Sequence, residues 1–358
     1  MSGAADLKLE TLRIEQDGRV LVARVDDPPY NFMTARMQRD LDALTRAVDD
    51  DVSVGAVILT GNTPDRYITH FNNADILTAA EQMKRPLSES VVRAAMQLIA
   101  VVCRVPGGRK VIERTPLRGL LNVTRFSDVV MRIMRSPVVY IAAVNGPCGG
   151  GGIEMSVCFD VRIASDTAGF AIPELLIGLT TTVGGQRLSR LVGLGKALEM
   201  TLEGRMYSAQ EALAMGLVSR VVPAEQLVET AKKLAAHYAT RNRLNIAAQK
   251  RIFNEDALRS PSDALLREGA ANVSGILGGP APRALRAWVE MQRRGGGESP
   301  FLTKLDVWTR GNVVNLNADG GDMRDGPSAI DAPNGADVVD MLAPSLPKRS
   351  SEESKSLS

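Results

Sequence analysis

Apolar positions near the start of the chain follow first a two-residue and then a helical period. Thr11 to Gln16 alternates apolar and polar side chains, while Val20 to Val25 and Val54 to Thr60 are nearly continuous aliphatic runs, the marks of half-buried and fully buried strands. Between them Met37, Leu41, Leu44 and Val48 recur at helical spacing behind Thr34, whose hydroxyl suits an N-cap. Strand and helix patterns keep alternating through Val138 to Val144 and Asp160 to Ser165 and on to Val222. Leu227, Val228, Ala231, Leu234 and Tyr238 then line one side of a further amphipathic helix. This alternation predicts an α/β fold.

The rhythm breaks at Asn145-Gly-Pro-Cys-Gly-Gly-Gly-Gly-Ile-Glu154, where four consecutive glycines run from a strand into a helix. Glycine lets a backbone turn sharply and lets a ligand approach bare N–H groups, and the first turn of a helix leaves those groups unpaired. Such a turn predicts an oxyanion site. A second carboxylate in Ile172-Pro-Glu174, reached through the strand Asp160 to Ser165, is expected to return beside Glu154 as an acid and base pair. A dinucleotide-binding turn fails on spacing. With Gly149 and Gly151 as the first two glycines of a G-x-G-x-x-G pattern, the third position is Glu154, which opposes close packing and repels a pyrophosphate. No G-x-x-x-x-G-K-[ST] phosphate loop occurs either.

Composition narrows the class further. The 358-residue chain is 44% hydrophobic, enough for a large core, and its net charge of +2 gives no general pull toward nucleic acid or membrane. Three cysteines, Cys103, Cys148 and Cys158, are too few for a disulfide framework, and with two histidines no metal site is expected. No apolar run reaches the roughly 18 residues of a membrane span, and no export signal is recognised, so the expected location is the cytoplasm.

Residues 138 to 165, VVYIAAVNGPCGGGGIEMSVCFDVRIAS, resemble the signature of the crotonase superfamily, the enoyl-CoA hydratase/isomerase family. Asp27-Pro-Pro-Tyr-Asn31, Val54 to Gly61, Asn73-Ala-Asp-Ile76, Phe170 to Gly178 and Gly204 to Pro223 follow the same family in order, so the resemblance spans most of residues 8 to 250. It implies a ClpP/crotonase-like spiral of β-β-α repeats over residues 1–205, with an extended insertion at about 79–130. A helical region at 206–294 then packs on neighbours in a trimer or a dimer of trimers. Residues 295–358 are rich in Gly, Pro, Ser, Asp and Asn and are expected to be disordered, with short apolar patches at Phe301 to Trp308 and Val338 to Leu342.

The resemblance also implies the chemistry. The substrate is an acyl-CoA thioester, with CoA as part of the substrate and no separate cofactor. The backbone N–H groups of Ala74 and Gly151 hold the thioester oxygen, where charge gathers during reaction and fixed donors lower the barrier by a few kcal/mol. Glu154 and Glu174 match the two glutamates that hold one water and add its elements across the α,β double bond, a hydro-lyase reaction. Arg24, Asn31, Asp75, Ile76 and Gly150 are the remaining candidate contacts to CoA or the acyl group. Asn73 stands where the family has glycine, but asparagine tolerates left-handed backbone. His70 replaces an aromatic or apolar residue and is read as structural.

Three departures bear on the substrate. The stretch between Ile76 and Val138 is long and basic, with Lys84, Arg85, Arg93, Arg104, Arg109, Lys110, Arg114, Arg118 and Arg125. Val91, Val92, Ala95, Met96, Ile99 and Val102 within it predict one amphipathic helix covering the acyl pocket. The loop Leu179 to Arg187 differs from the family's and is expected to help place Glu174. Arg267 to Arg294 does not follow the family's C-terminal pattern. Two alternatives therefore stand beside hydration: hydrolysis of a cyclic oxo-acyl-CoA in a roomier pocket, or a non-catalytic homologue that uses the basic insertion on RNA.

Overall fold

The computed structural model describes residues 3–82, 87–277 and 281–297. The expected tail beyond 297, with both of its apolar patches, and Lys84 and Arg85 of the insertion lie outside the described residues. A six-stranded sheet is ordered β1 (Leu12–Asp17), β2 (Val20–Val25), β3 (Ala56–Gly61), β4 (Val139–Val144), β6 (Val161–Ser165) and β9 (Arg220–Val222). β1 and β2 form an antiparallel pair, and every other pairing in this sheet is parallel. A second sheet holds β5 (Pro147–Gly149), β7 (Gly169–Ala171) and β8 (Tyr207–Ser208). The chain thus lays β4 in the large sheet and β5 in the small one, then repeats the move with β6 and β7. This is the expected crotonase-like α/β architecture.

Successive residues of the central strands serve two different cores. Leu21, Ala23, Val57, Leu59, Tyr140 and Ala142 face one core, shared with Met37, Leu41, Leu44 and Val48 of α1 (Ala35–Asp50). Val22, Ala56, Ile58, Ile141 and Ala143 face the other, together with Leu227, Ala231 and Leu234 of the late helix Leu227–Tyr238. Burial on both faces explains why β3 and β4 read as unbroken apolar runs. Thr34 caps α1 as expected, its hydroxyl accepting the Met37 N–H at 3.2 Å.

Between β3 and β4 the chain forms α2 (Asn73–Gln82), α3 (Glu89–Val102), α4 (Gly108–Glu113) and α5 (Arg118–Arg135). Ile99 is buried and Val92, Ala95, Met96 and Val102 are half-buried, whereas Val91, expected on the same face, is exposed. Most of the burial is carried by α5, through Leu121, Phe126, Val129, Val130 and Ile133. The expected free basic character is partly spent within the chain. Asp42 of α1 receives Arg46, Arg109 and Arg132, and the buried Arg125 pairs with Glu113 at 2.7 Å. Burial alone would raise the Asp42 pKa, but hydrogen bonds and charge from Arg46 and Arg109 hold it below the usual value.

After β5 come α6 (Gly151–Ser156), α7 (Gly185–Val192), α8 (Leu194–Glu203), α9 (Ala209–Ala214), α10 (Leu227–Tyr238) and α11 (Arg243–Asn254). Lys250 is the one buried residue of α11, and its ammonium donates to the Ile133 and Val138 carbonyls and to Asp160 at 2.6 Å. The segment that departs from the family pattern folds as α12 (Pro261–Leu277) and α13 (Ala281–Arg294). α13 buries no side chain in the chain's own core.

Candidate active site

The glycine turn is shaped by close approach on every side. Gly149 N–H donates to the Thr69 carbonyl at 2.8 Å and Gly150 N–H to Ala171 at 3.3 Å, which ties β5 to the 67–71 segment and to β7. Gly150 has φ +45°, and a Cβ there would lie 2.7 Å from Glu174 Oε1 and 3.5 Å from His70 Cβ. At Gly152 a Cβ would meet the Ile68 carbonyl oxygen at 2.2 Å. Only glycine fits. The α6 helix starts directly after this turn, so the Gly151 N–H sits in its first turn without an intrahelical acceptor, beside the Phe71 ring.

The first turn of α6 carries Glu154, which is buried. Its Oε1 accepts the Thr182 N–H at 2.5 Å, and its Oε2 has no partner among the described residues. Glu174 follows β7 on a single 3₁₀ turn (Glu174–Ile177) and is also buried, again with an unpartnered Oε2. Burial pushes the Glu154 carboxyl up to about 7, against the Thr182 N–H and with a contribution from the negative charge of Glu174. Burial also raises Glu174, opposed by its own N–H and by His70. Two half-satisfied carboxyls in one dry site are suited to share a proton and to hold one water between them.

The loop from Leu179 to Arg187 does more than was expected of it. Leu179 N–H does bond the Glu174 carbonyl at 2.9 Å, but the loop's main grip is on the other glutamate. Thr182 fixes the Glu154 carboxylate, and Gly184 packs so closely on the Glu154 backbone that a Cβ would come within 2.5 Å of its Cα.

The remaining expected site residues divide. Ala74 lies in the first turn of α2, and its N–H, expected to serve an oxyanion, donates to Asn72 Oδ1 at 3.1 Å and so is engaged by a neighbouring side chain. Asp75, Ile76 and Gly150 do reach the site region, the first two as lining of the adjoining cavity. Asn31 does not. It is buried at φ +53°, with Oδ1 accepting the Asp27 N–H and Nδ2 facing the Val25 and Arg66 carbonyls, so it latches a turn and has no amide to spare for CoA. Arg24 stands half-buried on β2 opposite Arg13 and Thr60 of the neighbouring strands and lines no part of the cavity. His70, expected to be structural, bonds the Phe71 carbonyl through Nδ1 and leans on Phe32 with ring centroids 4.6 Å apart, yet it also stands across Gly150 from Glu174.

A cavity of about 390 Å³ adjoins this region through Thr182, which holds Glu154, and Phe71, which packs on Gly151, although neither glutamate lines it. Met33 comes from just before α1 and Gln38 from its start, Phe71 and Ile76 from the α2 region, Phe126 from α5, and Thr182 from the loop that holds Glu154. The insertion therefore builds a wall of the cavity, which fits a pocket for an acyl chain. Gln38 and Thr182 had no role in the sequence reading. The only signal for Gln38 was an amide three residues before Leu41, on the edge of an otherwise apolar face.

The enoyl-CoA hydratase/isomerase family model matches residues 120–272. The short-chain-enoyl-CoA hydratase of Clostridium acetobutylicum is 32% identical over 250 residues, 69% of this chain and 82% of that protein. The chain belongs to the enoyl-CoA hydratase/isomerase family. Another member, the crotonyl-CoA hydratase of Syntrophomonas wolfei, is 31% identical over 251 residues, with 69% of this chain and 82% of that protein covered. Among solved structures, the enoyl-CoA hydratase of Bacillus anthracis superposes with a TM-score of 0.63 at 23% identity, covering 79% of this chain and 97% of that one, which bears on the fold alone.

Proposed function

We propose that the protein is an enoyl-CoA hydratase, adding water across the α,β double bond of a CoA thioester. The observation that carries this reading is the pair Glu154 and Glu174, both buried, each with a buried carboxyl oxygen that has no partner among the described residues, and close enough for the charge of Glu174 to act on Glu154. With one proton on the pair, the carboxylate member takes a proton from water as its oxygen bonds to Cβ, and the protonated member gives its proton to Cα. The pair ends with one proton, as it began. The Gly151 N–H, at the positive end of α6, and the Ala74 N–H, once released from Asn72, receive the charge that gathers on the thioester oxygen.

CoA enters as part of the substrate, and the reaction asks for no further cofactor. The named activities of the Clostridium and Syntrophomonas relatives support the same chemistry. Assembly as a trimer or a dimer of trimers is supported by a row of exposed leucines on α8, Leu194, Leu198 and Leu202, beside exposed Leu176. Among the described residues no helix is long and apolar enough to cross a membrane, which accords with a cytoplasmic enzyme. The RNA-binding alternative loses ground because Arg109, Arg125 and Arg132 are committed to internal ion pairs.

Loss of the conjugated thioester absorbance on mixing crotonyl-CoA with the purified protein, together with a mass gain of one water, tests the reading. Inertness toward every straight-chain enoyl-CoA, with hydrolysis of a cyclic oxo-acyl-CoA instead, would replace it.

A further inference from the structure

The cavity beyond Thr182 and Phe71 is mainly hydrocarbon, yet its wall includes a carboxamide whose oxygen the chain itself leaves unanswered. Gln38 is 6% exposed, it lines the cavity, and its Oε1 is buried with no hydrogen-bond partner among the described residues. The other amides there are engaged. Asn72 Oδ1 accepts the Ala74 N–H, and Asn122 Oδ1 accepts from Arg125. Folded proteins rarely leave a buried side-chain amide without a partner, because the desolvation it suffers is not recovered. Gln38 shares a buried polar stripe of α1 with Asp42 and Thr45, but Asp42 receives three arginines and Thr45 bonds the Leu41 carbonyl and Arg132, whereas Gln38 Oε1 has no such partner.

We propose that Gln38 is a specificity-determining residue, and that the preferred acyl group carries a hydroxyl on its chain beyond the double bond. This inference rests on the acyl-CoA reading of the site. A carboxamide offers an acceptor and a donor on one plane, and a hydroxyl is the small neutral group that matches both. A carboxylate on the acyl chain is disfavoured by Asp75, which lines the same cavity. The surrounding Met33, Phe71, Ile76 and Phe126 suit the methylenes on either side of the hydroxyl. An unsubstituted chain fills the space but leaves the amide unpaired, and a site built this way discriminates against the analogue that lacks the group.

The test uses the full-length protein and a set of 2-enoyl-CoA thioesters of one chain length, either unsubstituted or bearing a single hydroxyl walked along the carbons beyond the double bond. At one hydroxyl position kcat/KM is expected to exceed that of the unsubstituted thioester by about tenfold or more. Gln38→Met, close in size and without polar hydrogen, is expected to erase that ratio. If no position surpasses the unsubstituted thioester, the amide is served by water and the inference falls while the hydratase reading stands. A ratio that persists in Gln38→Met also overturns it. If no thioester is hydrated, the hydratase reading fails, and calorimetric binding of the saturated hydroxyacyl-CoA and alkyl-CoA pair then decides the inference. Tighter binding of the hydroxyacyl form to the parent but not to Gln38→Met supports it, and equal affinity overturns it.

Discussion

Thr182 N–H points at Glu154 Oε1 from 2.5 Å, and this one contact divides the carboxylate into an anchored oxygen and a free one. An anchored carboxylate is preorganised, so no ordering is needed when substrate and water arrive.

Glu154→Gln and Glu174→Gln each keep size and most hydrogen bonding but remove proton exchange. Each is expected to lower turnover by about two to four orders of magnitude with smaller changes in KM. Because both act on one water, the double variant should be little worse than the poorer single one. Steady-state kinetics on crotonyl-CoA checks this, and near-parental activity of Glu174→Gln would sink the two-carboxylate mechanism.

The raised Glu154 pKa has a cost in stability with a definite sign. Its folded value of about 7 lies above the ordinary 4.5, so the native state favours the protonated form. The stabilisation is full below about 4.5 and is lost as pH rises through about 7. Glu154→Gln, which cannot ionise, should therefore melt higher than the parent at pH 8 and nearly equally at pH 5. The difference at pH 8 is on the order of 3 kcal/mol at most. Thermal melts across that range would refute the linkage if the two curves run parallel.

At Gly150, alanine adds a Cβ 2.7 Å from Glu174 Oε1 on a backbone with φ +45°. The carboxylate must move, and with φ +45° and ψ −118° the backbone lies outside the left-handed helical region, in a conformation open essentially to glycine, so the strain is on the order of 3 kcal/mol. Gly150→Ala is expected to lose tenfold or more in kcat per folded molecule together with a clear drop in Tm. A large stability loss with unchanged kcat per folded molecule would show that the glycine serves the fold alone.

Asn72→Ala removes the side chain that holds the Ala74 N–H. The freed donor is expected to raise affinity for acyl-CoA a few-fold, while loss of the cap-like bond at α2 costs about 1 kcal/mol. Calorimetric titration with butyryl-CoA reads the first effect and denaturant melts the second. Weaker binding would mean that Asn72 itself contacts the substrate.

Asp42→Asn should loosen the insertion from α1, since Arg109 and Arg132 both converge on that carboxylate from the insertion's side. A loss of about 2 kcal/mol is expected, with faster limited proteolysis in the 103–117 stretch. Asp42 is held below its ordinary pKa, so its contribution is present above about pH 4 and lost as pH falls below that. Proteolysis unchanged by the substitution would place the anchor elsewhere.

Local rules carried the reading a long way where local physics decides. Thr34 before Met37 and Leu41 specified both the start and the inward face of α1, and Val57 and Ile58 in one unbroken run betrayed a strand covered on both sides. The glycines before Glu154 were legible because only close backbone approach explains four in a row. Thr182 on Glu154 was not legible, because a backbone N–H carries no residue signature and the contact spans 28 positions. The turn-latching part of Asn31 was not legible for a related reason. Its place in a motif says that the amide is needed, but only the fold shows that it faces inward. Gln38 is similar in kind: an amide on a helix reads as surface until its neighbours are known.

Lys250 gives α11 a hold on the centre that none of that helix's apolar side chains provides. A chain ended just before it would leave Asp160, half-buried at the root of β6 and four residues past the end of the helix that bears Glu154, with the Tyr140 N–H but without its ammonium partner. The late helices are therefore no removable appendage. Anyone trimming this protein to its minimal catalytic body should expect the cut to be felt at the reaction centre before it is felt at the surface it exposes.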